Sequence, residues 1–108
     1  MLRPVIHIAL HFLVPAAVAR LGFADRWRYA WLLMVSTMLV DLDHLLATPL
    51  YDPNRCSMGF HPLHTWPVVA VYAVLLAVPG LRLIAMGLVI HMALDTLDCA
   101  WMGTLKIF

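Results

Sequence analysis

Residues 81–102 read LRLIAMGLVIHMALDTLDCAWM, an apolar run with Arg82 at its start and further ionisable side chains from His91 onwards. A helix that crosses the hydrocarbon core of a bilayer needs about 20 mostly apolar residues, and this run has that length. At about 100° per residue, positions i, i+4 and i+7 lie within roughly a 60° arc, so His91, Asp95 and Asp98 share one helix face. Ionisable residues inside a membrane helix usually face a bundle interior and mark a functional site. The run therefore predicts a membrane helix with one polar face.

The composition of the whole chain agrees with lipid as its main solvent. The 108 residues are 64% hydrophobic and 12% charged, and Glu is absent, whereas soluble domains have about 25% charged residues. The formal net charge is +1, and the sequence has no basic stripe of the kind that binds nucleic acid. The length corresponds to one domain. We therefore expect residues 1–108 to form a single transmembrane domain in contact with the lipid bilayer and without a nucleic-acid partner.

Three further apolar runs precede residues 81–102. The four runs together predict helices over about residues 4–23, 29–46, 62–78 and 81–102. The first run contains Pro15, which should kink its helix because proline removes a backbone donor. It also contains His7 and His11, and Arg20 stands where a signal peptide would have small residues, so we expect a retained helix. The predicted fold is all-α, an integral membrane four-helix antiparallel bundle.

Histidine and aspartate residues occur at one end of every predicted helix, and these ends belong to one side of the membrane. In an up-down bundle, the starts of helices one and three lie on the same side as the ends of helices two and four. At about 1.5 Å of rise per residue, most of these side chains lie within roughly 5–15 Å of that interface. They are His7 and His11 on helix one, Asp41, Asp43 and His44 on helix two, His61 and His64 on helix three, and His91, Asp95 and Asp98 on helix four.

Imidazole and carboxylate ligands together suit zinc, iron or manganese, whereas calcium and magnesium prefer oxygen ligands alone. A lone histidine in a membrane helix is more often an interhelical hydrogen-bond partner than a ligand, so the prediction depends on the whole set. We expect a divalent metal, first of all zinc, and the surplus of ligands leaves one or two ions open. The candidate metal ligands are His7, His11, Asp41, His44, His61, His64, His91 and Asp95. Asp43 and Asp98 are the candidate catalytic general bases.

Two cysteines and the distribution of basic residues bear on the side at which this layer lies. Cys56 and Cys99 belong to the same predicted side, so they can pair there if it is oxidising or remain as two free thiols. Basic residues favour cytoplasmic loops. The side of loops one and three has Arg20, Arg26, Arg28 and Arg82, and the other has Arg3, Arg55 and Lys106. This count puts the metal layer on the extracytoplasmic side.

Three motifs follow one another along the chain: Asp41-Leu-Asp43-His44, then His61-Pro-Leu-His64-Thr65, then His91-Met-Ala-Leu-Asp95. This succession resembles the YdjM-like group of bacterial and archaeal proteins, which are predicted membrane-bound metal-dependent hydrolases. Two departures are Val40, where that group commonly has proline, and the short spacing that follows His61-Pro62. The resemblance implies a metal-dependent hydrolase in the bacterial inner (cytoplasmic) membrane.

A closer likeness covers nearly the whole chain, including the loop Asp52-Pro-Asn-Arg-Cys56. In this respect the chain is similar to uncharacterised-domain family 6122. That likeness implies no activity of its own.

Three functions are compatible with these patterns. The first is a metal-dependent hydrolase that acts on a lipid-like or interfacial phosphoester or ester, in which the ion activates water and polarises the scissile group. The second is a non-enzymatic metal-binding or ion-transporting membrane protein, which as a transporter of four helices would need a homo-oligomer. The third is a haem-binding bundle with two axial histidines, which the neighbouring carboxylates disfavour. A Soret band would identify the third.

Overall fold

The computed structural model describes residues 2–46, 56, 58–59 and 61–103, apart from the side chains of residues 43–45. Within this part of the chain, all regular secondary structure is helical, which confirms the all-α prediction for it. The α-helices are α1 (Leu2–Gly22), α2 (Trp27–Ser36), α3 (Trp66–Leu75) and α4 (Arg82–Met102). Short 3₁₀ segments lie at Ala24–Arg26, Thr37–Leu46, Pro62–His64 and Pro79–Leu81.

Two of the helical stretches, Leu2–Gly22 and Pro79–Met102, are long and apolar enough to cross a membrane. Pro15 lies inside α1 and is buried there, and the helix continues through it to Gly22. Trp66–Leu75 is also apolar but shorter. The described part of the chain thus contains two helices with the length and composition that a bilayer requires.

The second predicted helix changes its geometry halfway. It is α-helical from Trp27 to Ser36 and continues as a 3₁₀ helix over Thr37–Leu46. At the junction, the hydroxyl groups of Ser36 and Thr37 donate to carbonyl groups three residues earlier, those of Leu33 and Met34. Such side-chain bonds compete with the α-helical ladder. The change of geometry matters because Asp41 lies in the 3₁₀ part.

The third predicted helix is divided in two. Thr65 is extended (φ −75°, ψ 150°) and separates the Pro62–His64 turn from α3. Pro67 has no backbone N–H to donate to the Leu63 carbonyl, so α-helical bonding cannot run back into the turn. That carbonyl instead accepts a hydrogen bond from the Tyr72 hydroxyl at 3.0 Å. Tyr72 therefore ties the turn to the helix that follows it.

Helix α4 is the central element, since it contacts α1, α2 and α3. Its closest approach is at Gly87, where an added Cβ atom would lie 2.7 Å from the Cα atom and from the carbonyl oxygen of Met34. Small residues at such crossings let two helix backbones come together. Gly87 therefore sets the spacing of α4 and α2 one turn before His91.

The described part of the chain has an apolar surface and several buried polar side chains. Large apolar side chains are exposed all along the helices, and they include Leu21 (89% exposed), Leu39 (68%) and Val74 (68%). Buried positions include four histidines and an aspartate: His11, His61, His64, His91 and Asp95. Soluble domains bury aspartate rarely and seldom present a large contiguous apolar surface. An apolar exterior combined with buried ionisable side chains suits a lipid environment.

Candidate metal centre

Four elements of the fold contribute side chains to one buried cluster. Helix α1 contributes His7 and His11, the 3₁₀ segment after α2 contributes Asp41, the Pro62–His64 turn contributes His64, and α4 contributes His91 and Asp95. His64 is 0% exposed, His91 2% and Asp95 5%. Buried imidazole and carboxylate groups are costly unless they are paired or bind a cation. Their ligand atoms form two groups that share Asp95.

The first group consists of Asp41, His64, His91 and Asp95. The Nε2 atoms of His64 and His91 are 3.3 Å apart. The Oδ1 atom of Asp41 lies 3.2 Å from the first and 3.1 Å from the second. The Oδ2 atom of Asp95 lies 3.0 Å and 3.2 Å from the same two nitrogens. Two nitrogens and two carboxylate oxygens therefore face a common centre.

These separations match a tetrahedral ligand set. Zinc binds imidazole nitrogen and carboxylate oxygen at about 2.0–2.1 Å, so the ligand atoms of a regular tetrahedron are roughly 3.3–3.4 Å apart. The observed separations of 3.0–3.3 Å are only slightly shorter. The Nδ1 atom of His91 is buried and has no hydrogen-bond partner among the described residues. The position of this ring therefore depends on the contacts of its Nε2 atom. Together, the four ligand atoms are spaced as a small divalent cation requires.

The second group consists of His7, His11 and Asp95. The Oδ1 atom of Asp95 lies 3.0 Å from the His7 Nε2 atom and 3.3 Å from the His11 Nε2 atom. The two rings, one helical turn apart on α1, meet edge to face with centroids 4.5 Å apart. The His11 ring makes a second edge contact with His91, again at 4.5 Å. The two groups are therefore neighbours within one cluster.

The position of His64 depends on contacts outside its own helical turn. Its backbone carbonyl accepts a hydrogen bond from the Gly59 amide at 3.1 Å, and its own amide donates to the His61 carbonyl at 2.9 Å. A disulfide joins Cys56 to Cys99 of α4. This bond holds the segment before the turn against the helix that carries His91 and Asp95. The choice between a disulfide and two free thiols, which the sequence leaves open, is decided in favour of the disulfide.

An ion pair closes the same end of the bundle. The Nη1 atom of Arg3 lies 2.6 Å from the Oδ1 atom of Asp98, and the Nδ1 atom of His7 is 3.9 Å from that same oxygen. Asp98 belongs to neither group of converging ligand atoms. Its role as general base stays a prediction, and its observed contacts are with Arg3 and His7. Sequence reasoning missed Arg3, although the spacing of Arg3 and His7 puts both on one face of α1.

Other predicted site residues have different outcomes. His61 is buried and its ring lies 5.7 Å from that of His64 between centroids, but it belongs to neither group. The backbone of Asp43 and His44 lies in the 3₁₀ segment, whereas their side chains lie outside the part of the chain that is described. Their predicted roles as base and ligand therefore have no geometry to support them. Six of the predicted residues do converge: His7, His11, Asp41, His64, His91 and Asp95.

Comparison with known proteins identifies a family without an assigned function. A family model described as a family of unknown function (DUF6122) matches residues 1–102. No curated protein and no solved structure matches the chain.

Proposed function

Since this chain belongs to the family of unknown function DUF6122, we propose from its own residues that it is a membrane-embedded, metal-dependent hydrolase. The observation that carries the proposal is the convergence of Asp41, His64, His91 and Asp95, whose ligand atoms face one another at 3.0–3.3 Å. Two neutral imidazoles and two carboxylates form a ligand set suited to zinc, with iron or manganese as alternatives. Such an ion activates water at neutral pH and polarises a phosphoryl or acyl oxygen.

The residues divide between holding the ion and admitting a substrate. His64, His91 and Asp95 are almost fully buried, whereas the Asp41 side chain is 36% exposed. An apolar surface groove of about 430 Å³ includes Asp41 in its lining, together with Val35, Ser36, Met38, Leu39 and Leu42. A groove with so few polar groups suits an acyl or prenyl chain better than a sugar or a peptide. The substrate we propose is a lipid-like phosphoester or ester whose head reaches the cluster past Asp41.

The setting we propose is a bilayer, with the four helices as one bundle. The exposed apolar side chains and the two helices of spanning length support it. The site would lie on the extracytoplasmic side of the bacterial inner membrane. That side is oxidising, as the Cys56–Cys99 disulfide requires, and the excess of arginine at the opposite end agrees with it.

A second candidate is a non-enzymatic metal-binding protein. It is favoured by the completeness of the first group, because four protein ligands are typical of structural zinc sites, whereas catalytic sites keep a position open. Ion transport through a homo-oligomer is a variant of this candidate. Haem is disfavoured by the geometry, since ring centroids only 4.5 Å apart leave no room for a macrocycle between His7 and His11 or between His11 and His91.

The test combines elemental analysis with a substrate assay. Protein purified in detergent after growth with zinc, iron and manganese is compared with its Asp41→Asn and His91→Gln variants. We expect bound metal in the wild type and its loss in both variants. His61→Gln is the matched control, because it replaces a neighbouring buried histidine that belongs to neither group. Hydrolysis is then measured on phospholipids and acyl esters in mixed micelles, with and without chelator.

Each outcome decides between the candidates. Chelator-sensitive hydrolysis that Asp41→Asn abolishes and His61→Gln retains supports the hydrolase. Bound metal without hydrolysis of either substrate class favours the non-enzymatic protein. A wild type without metal overturns both, and the cluster is then a hydrogen-bonded network of imidazoles and carboxylates.

A further inference from the structure

The two oxygen atoms of the Asp95 carboxylate face different sets of histidines. Oδ2 contacts the Nε2 atoms of His64 and His91 at 3.0 Å and 3.2 Å. Oδ1 contacts the Nε2 atoms of His7 and His11 at 3.0 Å and 3.3 Å. A carboxylate that turns one oxygen to each of two ligand sets has the arrangement of a bridge between two cations.

The tautomer of His11 limits what can lie between the second set of histidines and Asp95. The Nδ1 atom of His11 lies 2.8 Å from the His7 backbone carbonyl oxygen. A carbonyl oxygen only accepts, so Nδ1 carries the proton, and in the neutral ring Nε2 is left with a lone pair. That lone pair faces the Asp95 Oδ1 atom, itself only an acceptor, at 3.3 Å. Two acceptors at this distance in a buried site repel unless a cation or an extra proton lies between them.

We propose that the centre holds two divalent ions, with Asp95 as the bridging ligand. The first ion is bound by Asp41, His64, His91 and Oδ2 of Asp95, and the second by His7, His11 and Oδ1 of Asp95. The inference rests on the proposed function, because both ions share its site. Imidazole and carboxylate ligands give the second position the same preference for zinc, iron or manganese as the first.

The second metal position has room for a substrate, which the first position lacks. The first group offers four protein ligands, whereas the second offers three and so leaves a coordination position for water or substrate. The ion bound by His7 and His11 is thus the one open to a substrate. Paired ions bind both the attacking and the leaving oxygen in phosphoester cleavage, so the substrate class we infer is a phosphoester.

The outer contacts of the second position belong to Arg3 and Asp98. Asp98 Oδ1 lies 3.9 Å from the Nδ1 atom of His7 and 2.6 Å from Arg3. Carboxylates behind a ligating histidine orient its ring and increase its basicity. At 3.9 Å, Asp98 makes no hydrogen bond to the His7 ring. It acts on that ring through its charge and is held in place by Arg3.

The experiment measures how many ions each chain binds. Purified protein is stripped, reloaded with Zn²⁺ or Mn²⁺, dialysed and analysed for metal per chain. We expect two ions in the wild type, one in His11→Gln, none or a trace in Asp95→Asn, and two in the control His61→Gln. Loaded with Mn²⁺, the wild type should show the electron paramagnetic resonance signal of a spin-coupled pair, and His11→Gln the hyperfine pattern of an isolated ion.

The outcomes separate this inference from the proposed function. One ion in the wild type, unchanged in His11→Gln, overturns the second ion and leaves the mononuclear hydrolase intact. No ion in the wild type overturns both. Retention of one ion by His11→Gln also shows that this variant is folded, so a halved metal content cannot be attributed to misfolding. Two ions without spin coupling would overturn the Asp95 bridge.

Discussion

At the scale of single residues, two aspartates on one face of α4 have different environments. Asp95 is 5% exposed and contacts four histidine rings, His7, His11, His64 and His91. Asp98, one turn later, contacts Arg3 and lies 3.9 Å from His7. The same side chain thus serves once as a ligand in our proposal and once as a support for a ligand. In that proposal, only Asp95 is required for an ion to bind.

This difference predicts unequal effects of two matched substitutions. Asp95→Asn should abolish high-affinity binding, because an amide oxygen replaces the charged ligand that both groups share. Asp98→Asn should keep binding and weaken it by less than about 10-fold, the low end for an outer carboxylate, because Asp98 lies beyond hydrogen-bond distance of His7. Competition with a chromophoric zinc chelator measures both affinities. Equal loss in the two variants would contradict the assignment of Asp98 to an outer position.

At the scale of helices, the site depends on how closely α4 approaches α2. The backbone of Met34 lies against Gly87, so closely that even a methyl group would come within 2.7 Å of it. His91 follows one turn later on α4, and the 3₁₀ segment with Asp41 follows Met34. The distance of 3.1 Å between Asp41 Oδ1 and His91 Nε2 is therefore set by this crossing.

Gly87→Ala should separate the two helices. The contact is with backbone atoms, which cannot move aside as a flexible side chain can, so we expect destabilisation of about 1–3 kcal/mol. Metal affinity should fall as well, because Asp41 moves away from His91. Gly80→Ala is the control, since a Cβ atom there meets nothing within 4 Å. Thermal unfolding in detergent and chelator competition measure the two effects, and equal stability of both variants would refute the crossing argument.

At the scale of the whole molecule, polarity and oxidation state point to one orientation. Apolar side chains cover the outside, and the polar cluster lies at the end of the bundle that contains the Cys56–Cys99 disulfide. Exposed arginines, among them Arg20 and Arg26, lie at the opposite end. A membrane that separates a reducing from an oxidising compartment would therefore leave the cluster on the oxidising side.

Cysteine labelling in intact bacterial cells tests this orientation. Leu2→Cys places a thiol at the cluster end, and Asp25→Cys places one at the other end, both at exposed positions. A membrane-impermeant maleimide should label the first in intact cells and the second only after lysis. The native cysteines should stay unlabelled because they are paired. The reverse pattern would put the cluster in the cytoplasm, and labelling of both in intact cells would argue against a spanning bundle.

Much of this arrangement can be inferred before any coordinates are known. The helical character of the four runs follows from length and hydropathy. The shared face of His91 and Asp95 follows from their i, i+4 spacing, and the structure has them 3.2 Å apart. The up-down order predicts that His7, Asp41 and His64 meet them at one end. These inferences succeed because hydropathy and helical period are properties of a few adjacent residues.

Other features depend on contacts between segments that are distant in the chain. Thr37–Leu46 becomes a 3₁₀ helix, the Pro62–His64 turn separates from α3, Cys56 pairs with Cys99, and Arg3 pairs with Asp98. The contacts of the two Asp95 oxygens with two different sets of histidines also depend on such distant segments. Composition and spacing were enough to predict helices with a buried His/Asp layer. The rotation and depth of each helix decided which atoms of that layer meet. Tertiary contacts such as that of Gly87 with Met34 set this rotation and depth, and the sequence pattern of a single helix does not contain them.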